Sequence, residues 1–336
     1  MKALVLTETK KMELETIDRP SVGPDEVLVK TAYAGICGTD KALYQGLPGS
    51  ADAVPPIVLG HENSGVVEAV GDDVKNVKPG DHVSVDPNIY CGECAYCLTS
   101  RPELCDHLSA VGVTRNGGFE EYFTAPAKVV YRVPASLSLK AAATIEPLSC
   151  AVHGVDLLNI EPYQKALVIG DGFEGELFNQ VLQAYGVRQV DMAGRNREKL
   201  ALNQKQFNVT TTYELYRDEI PAEYDIVIEA VGRPETQEMA IAATKKGAQV
   251  LMFGVGAPNQ TFPVNTYDVF AKQLKIQGSF INPYTFMASI ALLESGKVNP
   301  LPLINTELTL DNVEDFVSGQ MQNVNKAVVK VGGDLN

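Results

Sequence analysis

The chain has 336 residues, of which 45% are hydrophobic and 21% charged, a mixture typical of globular proteins long enough for two domains. Its 28 Lys and Arg residues against 42 Asp and Glu residues give a formal net charge of −14. Such a surface repels a nucleic-acid backbone or an anionic membrane, so the composition argues against both as partners.

The N-terminal segment at 1–8 (MKALVLTE) lacks the long apolar core and the small-residue cleavage site of a secretory signal. No apolar run reaches the roughly 18 to 20 residues that span a bilayer. We therefore expect a cytoplasmic protein, whose thiols stay reduced. Its six cysteines then indicate metal binding or chemistry rather than disulfides.

Two patterns of predicted secondary structure follow one another along the chain. Short apolar runs separated by turns, as at 26–31 and 64–70, indicate a β-rich first part up to about residue 150. Beyond about 155, strands and helices alternate, with strands predicted at 166–170, 188–193, 224–230, 248–254 and 275–280 and helices at 174–186 and 197–206. This alternation requires right-handed crossovers and a covered parallel sheet. The predicted class is α/β, with a doubly wound parallel sheet beside a β-rich domain.

Three distant segments carry residues that could bind a metal together: GICGTD at 35–40, GHE at 60–62 and IEPL at 145–148. A catalytic zinc takes about three protein ligands and keeps one exchangeable position. Cys37, His61 and one carboxylate would supply that set. A lone Cys or His is more often a buried packing residue, however, and sequence distance cannot show that these residues meet.

A second candidate metal site lies within one short segment of the sequence. Four cysteines follow the pattern C-x2-C-x2-C-x7-C, at Cys91, Cys94, Cys97 and Cys105. Two-residue spacers let neighbouring thiolates surround one tetrahedral zinc ion, and four thiolates leave no open position for chemistry. The pattern predicts a structural zinc rather than scattered thiols or disulfides.

The segment after the strand at 166–170 carries the pattern G-x-G-x-x-G, formed by Gly170, Gly172 and Gly175. Between a strand and a helix it indicates a dinucleotide-binding loop, with the pyrophosphate at the helix N-terminus. Phe173 and Glu174 complete the loop. Glu174 is favoured there by the helix dipole, but its charge could also repel the pyrophosphate.

An acidic residue about 20 positions past such a loop normally binds the adenosine ribose of NAD. Here that place falls on Gly194, followed by Arg195 and Arg197. The missing carboxylate removes repulsion from a 2′-phosphate, and Arg195 can pair with it, so the sequence predicts a preference for NADP(H) over NAD(H). The alternatives are that both arginines are solvated helix-start charges and that Asp191, three positions earlier, serves NAD.

These motifs together resemble the zinc-dependent medium-chain dehydrogenase/reductase family, and within it the polyol branch typified by sorbitol dehydrogenase. The resemblance extends over nearly the whole chain. It rests on the segments at 35–40, 60–65 (GHENSG), 91–105, 117–122 (GGFEEY), 146–148 (EPL) and 170–175, in that order.

The resemblance implies a GroES-like catalytic domain at 1–152 and 285–336, with a zinc lobe at about 88–108, and a Rossmann domain at 153–284. It makes Cys37 and His61 ligands of a catalytic zinc. The place of a third cysteine in simple alcohol dehydrogenases is held here by Glu146, as in the polyol branch. Glu62 or Glu146 can approach the metal in that branch, and Glu62 could instead form an ion pair that orients its loop.

The resemblance also implies a mechanism. A Lewis-acidic ion makes an alcohol hydroxyl easier to deprotonate and so favours hydride transfer to nicotinamide. Thr39 matches the family's hydroxyl relay for the proton, although a threonine there could simply cap a turn. The histidine that often continues the relay is replaced by Ala42, which leaves water, the cofactor ribose or Tyr44 as exits.

The expected activity is reversible oxidation of a secondary alcohol on a polyol, a pentitol or hexitol, to a ketose, with two zinc ions per chain. Simple secondary alcohols, diols and sugar-alcohol phosphates stay open as substrates. Cys37, His61 and the cysteine lobe argue against a zinc-free quinone reductase of the same fold. A metal-stabilised binding or sensor protein without turnover is the alternative outside enzymes. A homodimer or homotetramer is expected from the family.

Overall fold

A computed structural model describes residues 1–332 of the chain. The last four residues of the predicted catalytic segment 285–336 lie outside the described residues. The β-strands, in chain order, are Lys2–Glu8 (β1), Lys11–Thr16 (β2), Glu26–Ile36 (β3), Ile57–Val58 (β4), Glu62–Val70 (β5), His82–Val85 (β6), Asn88–Ile89 (β7), Ser109–Ala110 (β8), Tyr122–Pro126 (β9), Val130–Arg132 (β10), Lys165–Ile169 (β11), Gln189–Gly194 (β12), Thr212–Glu214 (β13), Tyr224–Glu229 (β14), Thr244–Met252 (β15), Lys275–Gly278 (β16), Ile304–Leu308 (β17) and Lys326–Lys330 (β18).

The α-helices are Gly38–Tyr44 (α1), Ala95–Leu98 (α2), Leu139–Ala142 (α3), Ile145–Asp156 (α4), Phe173–Ala184 (α5), Arg197–Phe207 (α6), Pro234–Ala242 (α7), Thr266–Lys272 (α8), Phe286–Glu294 (α9) and Val313–Val317 (α10). Short 3-10 segments lie at Pro102–Leu104, Ala127–Val129, Leu301–Leu303 and Leu310–Asn312. Among the described residues, no helix is both long and apolar enough to cross a membrane.

The chain divides into two compact units. The first comprises Met1–Ser149, Ile281–Glu294 and the described residues from Pro300 onward, and the second comprises Cys150–Phe280 and Ser295–Asn299. The sequence-based boundaries after 152 and 284 lie within a few residues of these breaks.

The first unit is β-rich, as predicted. Its largest sheet has the order β10-β6-β5-β3-β18-β17, with β9 also pairing β3, and smaller sheets join β2-β1-β4 and β7-β8. Strands β3 and β5 run antiparallel along most of their length. Buried valines such as Val27, Val29 and Val83 pack under the large sheet, because alternate side chains of each strand point to one face.

The second unit is a six-stranded parallel sheet with the order β13-β12-β11-β14-β15-β16. Strand β11 reads KALVI, and its last four residues are fully buried, as expected of a parallel strand covered on both faces. Helix α6 begins where the Asn196 side chain accepts from the backbone N–H groups of Glu198 and Lys199. The doubly wound α/β class is confirmed, and the short edge strand β13 is an element that the sequence did not predict.

Candidate functional site

The scattered residues Cys37, His61 and Glu62 meet in the first unit. Strands β3 and β5 pair so that Gly35 lies opposite Glu62, which brings the end of one strand beside the start of the other. One ligand atom each from Cys37, His61 and Glu62 lies within 4.8 Å of the other two. A thiol, an imidazole and a carboxylate at this spacing suit a zinc ion.

Asp40 contacts the first two of these candidate ligands. Its carboxylate is fully buried, accepts from the Cys37 backbone N–H at 2.8 Å and lies 3.4 Å from His61 Nδ1. Burial is the largest single influence and would lower the pKa of His61, but the charge and hydrogen bonding of Asp40, together with those of Cys37, outweigh it and hold the pKa well above its usual value. Because Nδ1 faces Asp40, Nε2 is the nitrogen left for a metal. Sequence reasoning missed Asp40, although it closes the GICGTD segment.

Glu62 has a buried cationic partner. Lys326 Nζ, from strand β18, lies 2.6 Å from each carboxylate oxygen of Glu62, and both side chains are at most 5% exposed. A Cβ on Gly35 would lie 1.8 Å from Glu62 Oε2, so only glycine leaves room for this carboxylate. The sequence left open whether Glu62 forms an ion pair or approaches a metal; the structure contains the ion pair and also brings a Glu62 oxygen within 4.8 Å of the candidate ligand atoms of Cys37 and His61.

Glu146 belongs to the same unit. It is in the first turn of α4 and is 7% exposed. Among the described residues, it is not part of the group whose ligand atoms lie within 4.8 Å of one another. Asp86 is near enough to feel its charge: burial, and then Glu146, raise the pKa of Asp86 to about 7, against hydrogen bonds from Asn88.

The proposed proton relay begins next to the thiol. Cys37 Sγ lies 3.8 Å from Thr39 Oγ1, within hydrogen-bonding range for sulfur. The Tyr44 hydroxyl, by contrast, donates to the Lys10 carbonyl oxygen at 2.9 Å and lies 3.2 Å from Glu314. These contacts tie Tyr44 into the packing of α1 and do not support it as a proton exit.

The four cysteines of the lobe converge. Ligand atoms of Cys91, Cys94, Cys97 and Cys105 all lie within 4.8 Å of one another. Backbone N–H groups donate to sulfur in the lobe, as from Cys94 to Cys91 Sγ at 3.4 Å and from Cys91 to Cys105 Sγ at 3.4 Å. Such donors stabilise thiolates, which are the form that binds zinc.

Two thiols of the lobe have pKa values that are shifted in opposite directions. The backbone N–H of Cys97 is the largest influence lowering the pKa of Cys94, to about 6. Desolvation, followed by hydrogen bonds with the other thiols, raises the pKa of Cys97 to about 12. A divalent ion would remove this conflict, because its charge favours four thiolates at once.

In the second unit, the glycine loop has the shape that a dinucleotide requires. Gly170 has φ +136°, and a Cβ on Gly175 would lie 2.0 Å from the Gly170 carbonyl oxygen, so close strand-to-helix packing excludes a side chain there. A Cβ on Gly172 would meet nothing within 4 Å, which leaves open space in front of helix α5. Phe173 is buried and Glu174 lies half-buried in the first turn of the helix.

A cavity of about 240 Å³ lies at the carboxyl end of this parallel sheet. Its lining includes Gly170, Gly172, Gly194 and Arg195, and also Arg233, which sequence reasoning missed. Arg197 begins helix α6 and is not among the lining residues.

The alternative of Asp191 as a ribose ligand is wrong. Asp191 is fully buried, accepts from the Tyr224 hydroxyl at 2.8 Å and from the Thr211 backbone N–H at 3.0 Å, and lies 3.2 Å from Lys165 Nζ. These contacts occupy its carboxylate inside the sheet.

Comparison with known proteins agrees with the two units. Residues 23–135 match the alcohol dehydrogenase GroES-like domain, and residues 175–295 match the zinc-binding dehydrogenase family. The chain is 33% identical to D-altritol 5-dehydrogenase of Agrobacterium fabrum, over 94% of this chain and 95% of that protein. It is 34% identical to L-threonine 3-dehydrogenase of Bacillus velezensis, over 95% of this chain and 94% of that protein.

The fold also matches a solved structure over nearly the whole chain. A Sinorhizobium meliloti protein described as a zinc-binding dehydrogenase, solved bound to NADP, superposes with a TM-score of 0.94. The two chains are 31% identical, and the match covers 98% of each.

Proposed function

This chain belongs to the polyol branch of the zinc-dependent medium-chain dehydrogenase/reductase family, and from that premise we propose that it reversibly oxidises a secondary alcohol of a polyol to a ketose with NADP⁺ as hydride acceptor. Family membership itself makes the protein a zinc-dependent, NAD(P)-dependent alcohol or polyol dehydrogenase. The observation that carries the proposal is the meeting of a thiol, an imidazole and a carboxylate within 4.8 Å.

Cys37, His61 and a glutamate would hold the catalytic ion. A zinc ion bound there supplies Lewis acidity, which lowers the pKa of an alcohol hydroxyl. The ligand atom of Glu62 lies within 4.8 Å of those of Cys37 and His61, whereas Glu146 holds the place that a third cysteine has in simple alcohol dehydrogenases. Glu62→Gln and Glu146→Gln, each assayed for zinc content and for kcat, separate the two: the direct ligand loses the metal, whereas the other glutamate loses turnover with the metal retained.

Other side chains of the first unit would orient the ligands and move the proton. Asp40 holds the His61 ring through Nδ1, and Lys326 holds the Glu62 carboxylate. Thr39, beside the thiol, would accept the proton that the substrate hydroxyl releases. Thr39→Val removes that acceptor at similar volume and is expected to lower kcat about 10²- to 10⁴-fold while zinc content stays unchanged.

The cysteine lobe would hold a second, structural zinc, which gives two ions per chain. Elemental analysis of purified protein is expected to find about two zinc ions per chain, and about one if only the lobe binds. A single ion together with no turnover on any alcohol would favour a metal-stabilised binding or sensor protein instead.

The dinucleotide would bind over Gly170 to Gly175 with its pyrophosphate at the start of α5. The proposed preference for NADP(H) rests on the two guanidinium groups of Arg195 and Arg233, which line the cavity. Values of kcat/KM for NADP⁺ and NAD⁺ test it, and a strong preference for NAD⁺ would contradict it. Arg195→Met is expected to lower the value for NADP⁺ more than that for NAD⁺.

The substrate proposed first is a pentitol or hexitol, and the name of the altritol relative gives a hexitol as the substrate of that protein. The threonine relative's name supports a second candidate, an amino acid with a secondary hydroxyl. A panel of pentitols, hexitols, their phosphates, 2,3-butanediol, 2-propanol and L-threonine, each with NADP⁺ and NAD⁺, decides among these classes. The polyol proposal fails if L-threonine or a simple alcohol gives the highest kcat/KM.

We also propose that the first unit is the catalytic domain and the second the dinucleotide-binding domain. None of the six cysteines, all of which lie among the described residues, forms a disulfide, and reduced thiols fit the proposed cytoplasmic location. The proposed homodimer or homotetramer rests on family membership. Sedimentation of the zinc-loaded protein would measure its mass, and a monomer at micromolar concentration would contradict the proposal.

A further inference from the structure

The Asp171 carboxylate lies at the carboxyl end of β12, where the sequence has Gly194 instead of an acidic residue. A Cβ on Gly194, the last residue of β12, would lie 2.3 Å from Asp171 Cβ and 2.5 Å from Asp171 Oδ2. Asp171 follows β11, the neighbouring strand, and is the second residue of the glycine loop. Its side chain thus fills the space that a side chain at position 194 would need.

The Asp171 carboxylate is held in place from the strand end. The backbone N–H of Asn196 donates to Asp171 Oδ2 at 2.7 Å. Asn196 is itself fixed as the cap of α6. Asp171 is half-buried and lines the cavity together with Arg195, Arg233 and Tyr216. One negative and two positive side chains therefore border the same space.

We propose that Asp171 is a specificity-determining residue, which supplies from the glycine loop the carboxylate that a strand-end acid supplies in NAD-binding Rossmann domains. This inference rests on the proposed dinucleotide site. In such domains the strand-end acid meets the adenosine ribose, where a carboxylate accepts from a 2′-hydroxyl and repels a 2′-phosphate. Arg195 and Arg233 act in the opposite sense, because guanidinium groups pair with phosphate.

Selectivity between NAD(H) and NADP(H) therefore depends on opposing charges that line one cavity. Asp171 limits the preference for a 2′-phosphate that Arg195 promotes. The lack of a side chain at Gly194 does not by itself remove the repulsion, since Asp171 brings a carboxylate to the same place.

The test measures equilibrium binding of two nucleotides that differ by one phosphate, 5′-AMP and adenosine 2′,5′-bisphosphate, by calorimetry on the full zinc-loaded chain. Asp171→Asn keeps the side-chain shape and an oxygen acceptor for Asn196. We expect it to shift the ratio of the two Kd values at least tenfold toward the bisphosphate. The ratio of kcat/KM for NADP⁺ and NAD⁺ should move in the same direction.

Asp225→Asn is the matched control. The Asp225 carboxylate also accepts a backbone N–H, from Lys165 at 2.9 Å, but it lies near the start of β14, at the amino end of the parallel strands and away from the cavity at their carboxyl end. The ratio of Kd values should stay within twofold of the wild type in this variant. An Asp171→Asn ratio that also stays within twofold would overturn the inference, even if NADP⁺ proves to be the preferred cofactor.

A double variant that moves the carboxylate from one position to the other serves as a second test, in case the glycine loop does not tolerate the amide of Asp171→Asn. Asp171→Gly combined with Gly194→Asp moves the carboxylate to the strand end and should restore the wild-type ratio, whereas Asp171→Gly alone should favour the bisphosphate. A swap variant that behaves like Asp171→Gly alone would count against the inference. A wild-type protein that binds neither nucleotide would refute the proposed dinucleotide site, and the inference with it.

Discussion

Removing the positive charge beside Glu62 tests how the candidate metal site is held together. Lys326→Met keeps most of the apolar stem of the side chain but leaves the fully buried Glu62 carboxylate without its partner. At the observed 2.6 Å, two unit charges attract by about 6 kcal/mol at an effective dielectric constant of 20. Breaking a buried pair on one side typically costs about 3–5 kcal/mol, so we expect a loss of that size in the free energy of unfolding of the metal-free protein.

Zinc should reduce this loss, because an ion beside Glu62 compensates the carboxylate in place of Lys326. Urea unfolding of chelator-treated and zinc-reconstituted protein measures both values. Lys11→Met is the control, since Lys11 also pairs with a glutamate, Glu13 at 3.3 Å, but with both side chains about half exposed. An exposed pair of this kind is worth about 0–1 kcal/mol.

The double variant Glu62→Gln, Lys326→Met removes both charges and should recover much of the stability that Lys326→Met loses. The reasoning fails if Lys326→Met costs no more than Lys11→Met, or if the costs of the two single changes simply add. A loss that is the same with and without zinc would show that Glu62 lies too far from the ion to act on it.

Three further outcomes follow from the other parts of the site. Cys97→Ser should lower the zinc content by about one ion per chain and reduce the melting temperature, and an unchanged zinc content would contradict the lobe assignment. Gly175→Ala places a Cβ 2.0 Å from the Gly170 carbonyl oxygen and should cost about 1–3 kcal/mol of stability, whereas Gly172→Ala should weaken nucleotide binding at wild-type stability, as unfolding and calorimetry would measure. Burial raises the pKa of Glu176 to about 9, above its ordinary 4.5, so the unfolded chain releases this proton first and stability falls as pH rises between these values. Glu176→Gln should therefore gain about 3 kcal/mol at pH 7 and nothing at pH 4, and a gain independent of pH would refute this explanation.

The parts of the fold that were predictable are those with local signals. The continuous apolar run of β11 and the glycines after it indicate a buried parallel strand and a phosphate-binding turn within a dozen residues. The cysteine spacing likewise needs only a short loop to bring four thiols together. Element ends were less predictable: the strand predicted at 26–31 continues to Ile36, because its pairing with β5 and β18 extends beyond its own apolar pattern.

The sequence by itself determined the order of elements, the glycine loop, the cysteine lobe and the candidate ligands Cys37 and His61, because spacing and residue type along the chain carry that information. Only the tertiary structure decided which side chains meet. The register of β3 against β5 joins Cys37 to His61, the pairing of β18 with β3 brings Lys326 to Glu62 across 264 positions, and the parallel pairing of β11 with β12 sets Asp171 against Gly194. Such meetings depend on strand register, and a shift of one residue would turn every one of these side chains to the opposite face.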